Sequence, residues 1–151
     1  LARPDLEITL LDSARKKTEF LQKTVQELGL SGIKVLHGRA EELGRQESHR
    51  EKYLLVVSRA LARLDILLEL CLPFVAAGGL FAAYKGPGFA AELEGAGYAL
   101  AELGARPEKT WEYTLPEEMG ERALLLFRKT GPTPAGYPRR SGLPGKKPLR
   151  P

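Results

Sequence analysis

A chain of 151 residues with 43% hydrophobic content is enough for one domain with a packed core and too apolar for a disordered chain. Its single cysteine excludes an internal disulfide framework and fits a reducing cytoplasm. No run of about 18 apolar residues predicts a transmembrane helix, and no secretory signal is visible. The net charge of +4 is unevenly placed, because residues 131–151 hold Arg139, Arg140, Lys146, Lys147 and Arg150 and no acid, leaving a slight negative excess elsewhere. A localised basic segment points to a polyanion partner, or else to a solvated terminus.

The chain starts on Leu rather than Met, and Ala2-Arg3-Pro4-Asp5 has the character of a helix end followed by a turn. This predicts that an N-terminal part of the protein precedes Leu1. Glu7-Ile8-Thr9-Leu10-Leu11-Asp12-Ser13 reads as a buried strand that stops on an acid at the mouth of a helix. Asp12 has two readings, a carboxylate for a pair of ribose hydroxyls or an N-cap for the next helix. Ala14 to Leu28 follows as a helix with Ala14, Leu21, Val25 and Leu28 on one stripe and Phe20 beside it. Arg15, Lys16 and Lys17 oppose the helix dipole in its first turn, a cost offset if they face an anion or bulk solvent. Gly29 is a C-cap and Gly32 turns the chain.

Ile33 to Gly38 is the next strand, and Arg39-Ala40-Glu41-Glu42 starts a short helix. Residues 44–52 form a polar surface loop. Tyr53 to Ser58 is a continuous apolar run of the kind that parallel strands bury on both faces, with Arg59 at its carboxyl end. Leu61, Leu64, Leu68, Cys71 and Leu72 give a helical stripe closed by Pro73. Phe74 to Gly79 is a helix end and turn, Gly79 to Tyr84 a strand ending at Lys85-Gly86, and Pro87 to Ala96 a helix. Tyr98 to Leu115 reads as extended, 117–121 as a turn, and Arg122 to Arg128 as a strand that makes an antiparallel hairpin. With six prolines and four glycines, residues 131–151 are expected to hold no regular element and to form an extended, docked or free tail. Strand-helix alternation argues for a doubly wound α/β sheet. Asp12, the Arg39-Ala40-Glu41 loop, Arg59 and Lys85 all follow strand ends, where such sheets bind ligands.

The runs Leu10-Leu11-Asp12-Ser13, Gly38-Arg39-Ala40-Glu41-Glu42, Ser58-Arg59-Ala60 and Lys85-Gly86, in this order and spacing, resemble the RsmG (GidB) family. The tail from Tyr137 to Leu149 also looks like that family's C-terminus. The family consists of bacterial methyltransferases that place a methyl group from S-adenosylmethionine on N7 of a guanine in 16S rRNA. The resemblance implies a Rossmann-like class I methyltransferase sheet, mostly parallel with an antiparallel C-terminal hairpin strand. It implies a division into residues 1–130, the C-terminal portion of the methyltransferase domain, and a basic tail at 131–151. Asp12, Ser13 and Ala14 would lie at the cofactor's ribose, and Ala40 and Glu41 at its adenine. Arg59 would touch cofactor and reacting base, with Lys85 as a second catalytic residue. Lys16, Arg39, Arg139, Arg140, Lys146 and Lys147 would meet RNA of the small ribosomal subunit. The family's first strand and Gly-rich loop are not in the sequence, so a sheet built from these residues alone is expected to expose an unpaired hydrophobic edge.

Guanine N7 carries a lone pair and no proton, so methylation there needs in-line alignment rather than a general base. That agrees with the sequence, where His37 and His49 have no evident partner and read as structural or surface residues, and Cys71 reads as core. Three other readings stand beside this one: a methyltransferase of the same fold on another substrate, a nicotinamide-dependent dehydrogenase whose acid meets the ribose, and a non-catalytic RNA-binding module using the tail. No self-complementary patch is evident, so a cytoplasmic monomer is the expectation.

Overall fold

A computed structural model of the chain describes residues 3, 5–59, 61–117 and 120–150. The expectations for Ala2, Pro4 and the middle of the turn at 117–121 lie outside these residues. Strand β1 (Ile8–Asp12) and strand β2 (Ile33–His37) pair in parallel from Ile8↔Ile33 to Asp12↔His37 and are joined by helix α1 (Arg15–Glu27). Helix α2 (Ala40–Leu43) follows β2. Strand β3 (Tyr53–Arg59) leads through helix α3 (Leu64–Cys71) and a 3-10 turn (Leu72–Phe74) into β4 (Val75–Lys85). Helices α4 (Phe89–Glu94) and α5 (Gly97–Glu102) precede the hairpin of β5 (Ala105–Thr114) and β6 (Glu121–Lys129), and one last turn, α6 (Leu143–Lys146), lies in the tail.

The strands form two sheets rather than the single one expected. β1 and β2 make a parallel pair, and the other sheet has the order β3-β4-β6-β5, parallel between β3 and β4 and antiparallel beyond. Neither β1 nor β3 has a partner on its outer edge among the described residues. The four-stranded sheet buries one face against α3 and α5. There β6 alternates with period two, burying Ala123, Leu125, Phe127 and Lys129. Phe81 of β4 and Phe127 of β6 stack with centroids 5.9 Å apart at the centre of the core. The opposite face, which carries Leu55, Val57, Tyr84, Trp111 and Tyr113, is exposed.

This exposure corrects the burial expected for the run Tyr53 to Ser58. Leu54 is 78% exposed, Leu55 57% and Val57 55%, while Ser58 is buried. A parallel strand is apolar on both faces because layers cover both and neighbours pair both edges. β3 has one covered face and one paired edge, so its hydrophobic run is only partly used.

Two element boundaries also differ. Tyr98 to Glu102 belongs to α5, not to an extended segment, because Ala96, Ala99, Leu100 and Leu103 recur at helical spacing and are buried together. Gly95 and Gly97 obscured that period in the sequence. β4 begins at Val75, before the expected Gly79, and passes through an irregularity at Gly78 (φ 75°). Gly79 is crowded there, since a Cβ would lie 2.9 Å from the carbonyl oxygens of Ala76 and Leu54. α1 ends near the expected Gly29, which takes a left-handed φ of 58° as the cap requires. Phe20 and Leu28 of its predicted stripe are exposed.

The tail is docked and includes the one-turn helix α6, where no regular element was expected. Glu69 on α3 is 0% exposed. Its carboxylate accepts the Arg139 backbone N–H at 2.8 Å and the guanidinium through Nε at 2.9 Å and Nη2 at 2.6 Å. Arg139 Nη2 also donates to the Lys147 carbonyl. Arg150 pairs with the buried Asp65 at 2.8 Å, and Leu149 joins the core. The loop at 44–52 is therefore more than a surface loop. Arg50 donates to the Thr133 and Tyr137 carbonyls at 2.6 and 2.7 Å, and Glu51 accepts the Thr133 N–H at 2.6 Å and pairs with buried Lys129 at 3.2 Å.

Removing one member of a buried ion pair leaves the other charge uncompensated, at a cost of about 3–5 kcal/mol. Arg139→Ala is therefore expected to lower the free energy of unfolding in urea by about that amount, whereas Arg140→Ala at an exposed neighbouring position should change it by less than about 0.5 kcal/mol.

Candidate functional site

Two loops meet at the carboxyl ends of β1 and β2. In the first, Asp12 Oδ1 accepts the Ala14 N–H at 2.8 Å, and its Oδ2 lies 3.5 Å from the exposed Lys17 ammonium. The helix N-cap is Ala14, with extended φ and ψ, so Asp12 forms an Asx turn before the helix rather than the cap itself. The Ala14 N–H chiefly holds the Asp12 carboxyl below its ordinary range; burial opposes it, and Lys17 and the Ser13 N–H add to the lowering. Ser13 is exposed, and its carbonyl accepts from His37 Nε2 at 3.2 Å. His37 thus has a partner that sequence reasoning missed. The register Asp12↔His37 brings it there, and that register is a tertiary fact.

The second loop is tied to the first by the Gly38 N–H, which donates to the Asp12 carbonyl at 3.2 Å. Arg39 is exposed and reaches Glu41 Oε1 at 3.2 Å, and Ala40 is half-buried. The Glu41 side chain, 7% exposed, accepts the Gly142 N–H on the same oxygen at 2.9 Å. Burial pushes its carboxyl up, but the Gly142 and Glu41 N–H groups and Arg39 outweigh that and hold it below the ordinary range. The carboxylate expected at an adenine edge is turned toward the tail. Beside it, Glu42 accepts the Ser141 hydroxyl at 3.0 Å.

At the carboxyl end of β3, Arg59 is exposed and pairs across to Tyr84 in register, and its side chain makes no hydrogen bond or ion pair with the described residues. Lys85 is different. Its side chain is 11% exposed, with Nζ 2.7 Å from Glu92 and 3.0 Å from the Ala62 carbonyl. Glu92 also accepts the Leu64 N–H at the start of α3. Lys85 therefore fastens α4 to the loop before α3. The basic residues divide likewise. Lys16, Arg140, Lys146 and Lys147 are exposed with side chains that meet no acid among the described residues, while Arg139, its side chain 22% exposed, pairs with Glu69.

His49 also has a partner the sequence did not disclose, the Tyr53 hydroxyl at 2.9 Å from Nδ1. Cys71 is buried in the core as expected, and burial pushes its thiol up to about 12, which leaves it protonated and unreactive at neutral pH. Among the described residues no group of three or more His, Cys, Asp or Glu could hold a metal ion, and no helix is long and apolar enough to cross a membrane. A groove between α4 and β5 is lined by Phe89, Leu93, Glu94, Glu112 and Glu121 and shares no residue with the loops above.

A family model described as GidB, rRNA small subunit methyltransferase G, matches residues 1–118. The ribosomal RNA small subunit methyltransferase G of Moorella thermoacetica is 51% identical over 148 residues, covering 98% of this chain and 62% of that protein. The protein of the same name from Alkaliphilus metalliredigens is 46% identical over 147 residues, covering 97% and 62%. The chain thus spans less than two thirds of the length of these curated relatives. Similar solved structures include an rRNA methylase from Streptococcus thermophilus (TM-score 0.57, 14% identity, 83% of this chain and 74% of that one). A mutant of MtNAS in complex with S-adenosylmethionine also matches (TM-score 0.55, 17% identity, 83% and 46%). These likenesses show the fold, an α/β sheet of the class I methyltransferase kind.

Because the native Glu41 carboxyl titrates below its unfolded value, the stability it contributes is complete above the ordinary glutamate range and is lost as pH falls through the lowered native value. Between about pH 5 and pH 3, Glu41→Gln is expected to lose less stability than the wild type, read as melting temperature against pH. Asp12 and Glu51 are lowered too, and they are common to both proteins, so the difference isolates Glu41.

Proposed function

The chain belongs to the GidB family of rRNA small subunit methyltransferase G proteins, and from this premise we propose that it is the larger part of an S-adenosylmethionine-dependent enzyme that methylates N7 of a guanine in 16S rRNA of the small ribosomal subunit. The observation that carries the reading is the pair of joined strand-end loops, with a carboxylate at the first and a short helix at the second. Asp12 suits a ribose, since its Oδ2 has only a solvent-exposed lysine at 3.5 Å and can accept a hydroxyl. Ser13 and Ala14 line the same turn, and the Ala40 backbone suits the adenine edge.

One part of the cofactor finds no match. No glycine-rich loop that would wrap its methionine portion occurs among these residues. The open outer edges of β1 and β3 are where a strand bearing such a loop would pair. We place that strand in polypeptide outside residues 1–151. Residues 1–130 are then the C-terminal portion of the methyltransferase domain, and 131–151 its tail.

When bound, the cofactor supplies an electrophilic methyl group. The protein's own work is orientation. Guanine N7 has no proton to lose, so no base is required, and alignment alone can lower such a barrier by roughly 7–11 kcal/mol at best. Arg59, exposed at the end of β3 and without a protein partner among the described residues, contacts the reacting base or the cofactor. Lys16, Arg39, Arg140, Lys146 and Lys147 contact phosphates of the rRNA or the assembled subunit. The enzyme acts as a cytoplasmic monomer.

Calorimetric titration of the full-length protein tests the cofactor assignment. Micromolar S-adenosylmethionine binding is expected, weakened at least about tenfold by Asp12→Ala, as the loss of a charged hydrogen bond would do. A full-length protein that binds none would overturn the reading. For RNA, replacing Arg140, Lys146 and Lys147 by Ala should flatten the dependence of log affinity on log salt by about 0.7–0.9 for each phosphate no longer neutralised. An unchanged slope would remove these residues from the interface.

A further inference from the structure

We propose that the C-terminal tail is a strap that positions α2, and that tail docking and cofactor binding are one coupled equilibrium in which Glu41 is the positioning residue. The coupling to cofactor rests on the methyltransferase reading; the strap itself does not.

α2 is a single turn of four residues, far too short to hold its place by its own hydrogen bonds. The tail grips it along its length. Gly142 N–H reaches Glu41 at 2.9 Å, and the Ser141 hydroxyl reaches Glu42 at 3.0 Å. Just past the helix, Arg45 donates to the Pro138 and Gly136 carbonyls at 2.7 and 3.1 Å. Arg50 Nη1 bridges the Gly44 carbonyl at 3.2 Å and the Tyr137 carbonyl at 2.7 Å. At the C-cap, a Cβ on Gly44 would stand 3.3 Å from the Pro138 ring, so the proline packs closely on the Gly44 backbone.

The strap has its own anchor. Arg139 on the wholly buried Glu69 and Arg150 on Asp65 fix both ends of the segment to α3, independently of α2. What the clasp adds is the location of the Arg39–Glu42 turn relative to that helix. Glu41 is buried, and a buried carboxylate holds its place only when paired. Its pairing N–H comes from the tail, 101 residues away in sequence. A misplacement near 1 Å of the backbone that lines a ligand is costly to binding. By linkage, a ligand that needs α2 in place must in turn stabilise the docked tail.

The test is hydrogen exchange by mass spectrometry on the full-length protein, beside S-adenosylmethionine affinity by calorimetry. The Ser141→Ala/Gly142→Ala variant removes the hydroxyl and places a side chain at φ 80°, with nothing within 4 Å to clash, and leaves the Arg139 anchor intact. In this variant, faster exchange is expected in residues 137–147 and also in 43–45, even without cofactor, with a Kd for S-adenosylmethionine raised roughly five- to tenfold. In the wild type, added cofactor is expected to slow exchange in 137–147. If the tail amides are not released, Gly142→Pro, which deletes the N–H donor and cannot take that φ, replaces the first variant. A loosened tail with unchanged exchange in 43–45 would overturn the strap, and an unchanged Kd would overturn the coupling. Should the wild type bind no cofactor, the methyltransferase reading fails while exchange in 43–45 still decides the strap.

Discussion

Glu69 is a carboxylate with no exposed surface, set on the helix that covers the core, and the C-terminal part of the structure depends on its neutralisation by Arg139. A buried charge without a partner would shift its pKa or unfold its surroundings. The partner comes from a segment rich in prolines and glycines that holds only the single turn α6. Once Arg139 is seated, Lys147 is held through its carbonyl, Leu149 enters the core and Arg150 reaches Asp65. A tail that composition alone does not place becomes part of the folded body through the Arg139 and Arg150 ion pairs, the hydrogen bonds from Arg45, Arg50, Glu41 and Glu51, and the packing of Leu149. The same event divides the basic charge. Arg139 and Arg150 are consumed by buried acids, and Arg140, Lys146 and Lys147 remain outside.

A second constraint is the divided sheet. Antiparallel pairing of β6 between β4 and β5 ends the larger sheet on β5, and β1 and β3 likewise keep unpaired outer edges among the described residues. The apolar face bearing Leu55 and Val57 lies next to the β3 edge. An edge of this kind promotes association unless something pairs with it. Of the proposed ligand residues, Asp12 ends β1 and Glu41 lies on α2 just after β2, whereas Arg59 ends β3 of the other sheet.

The elements legible in the sequence were those whose signal is local. Apolar runs at Ile8–Asp12, Ile33–His37 and Tyr53–Arg59 became strands at the expected places, and the hairpin followed from two strands without a helix between them. Acids and cations after strand ends were legible for the same reason. What those side chains face was not. Lys85 reads as an exposed strand end until Glu92 folds back on it, and Arg139 reads as one more tail cation until Glu69 is found beneath it. His37 and His49 read as partnerless because their partners, the Ser13 carbonyl and the Tyr53 hydroxyl, are set by strand register and loop path. In each case the missing information is a tertiary pairing of two polar groups, which no periodicity encodes.

The two carboxylates of the β1–β2 edge show how burial assigns different work to similar groups. Both titrate below their ordinary range. For Asp12 the leading cause is the Ala14 N–H, and its other oxygen meets only an exposed lysine. That oxygen is available to a ligand at little desolvation cost. For Glu41 burial acts the other way, and the charge survives because the tail N–H, its own N–H and Arg39 compensate it. Withdrawing Glu41 from those donors to face a ligand would forfeit the hydrogen bonds that keep it ionised inside the protein. Recognition is therefore cheaper at Asp12, and Glu41 is better suited to hold the turn from which the neighbouring backbone presents itself. The short distance between the two loops, set by the Gly38 N–H on the Asp12 carbonyl, makes the second role serve the first.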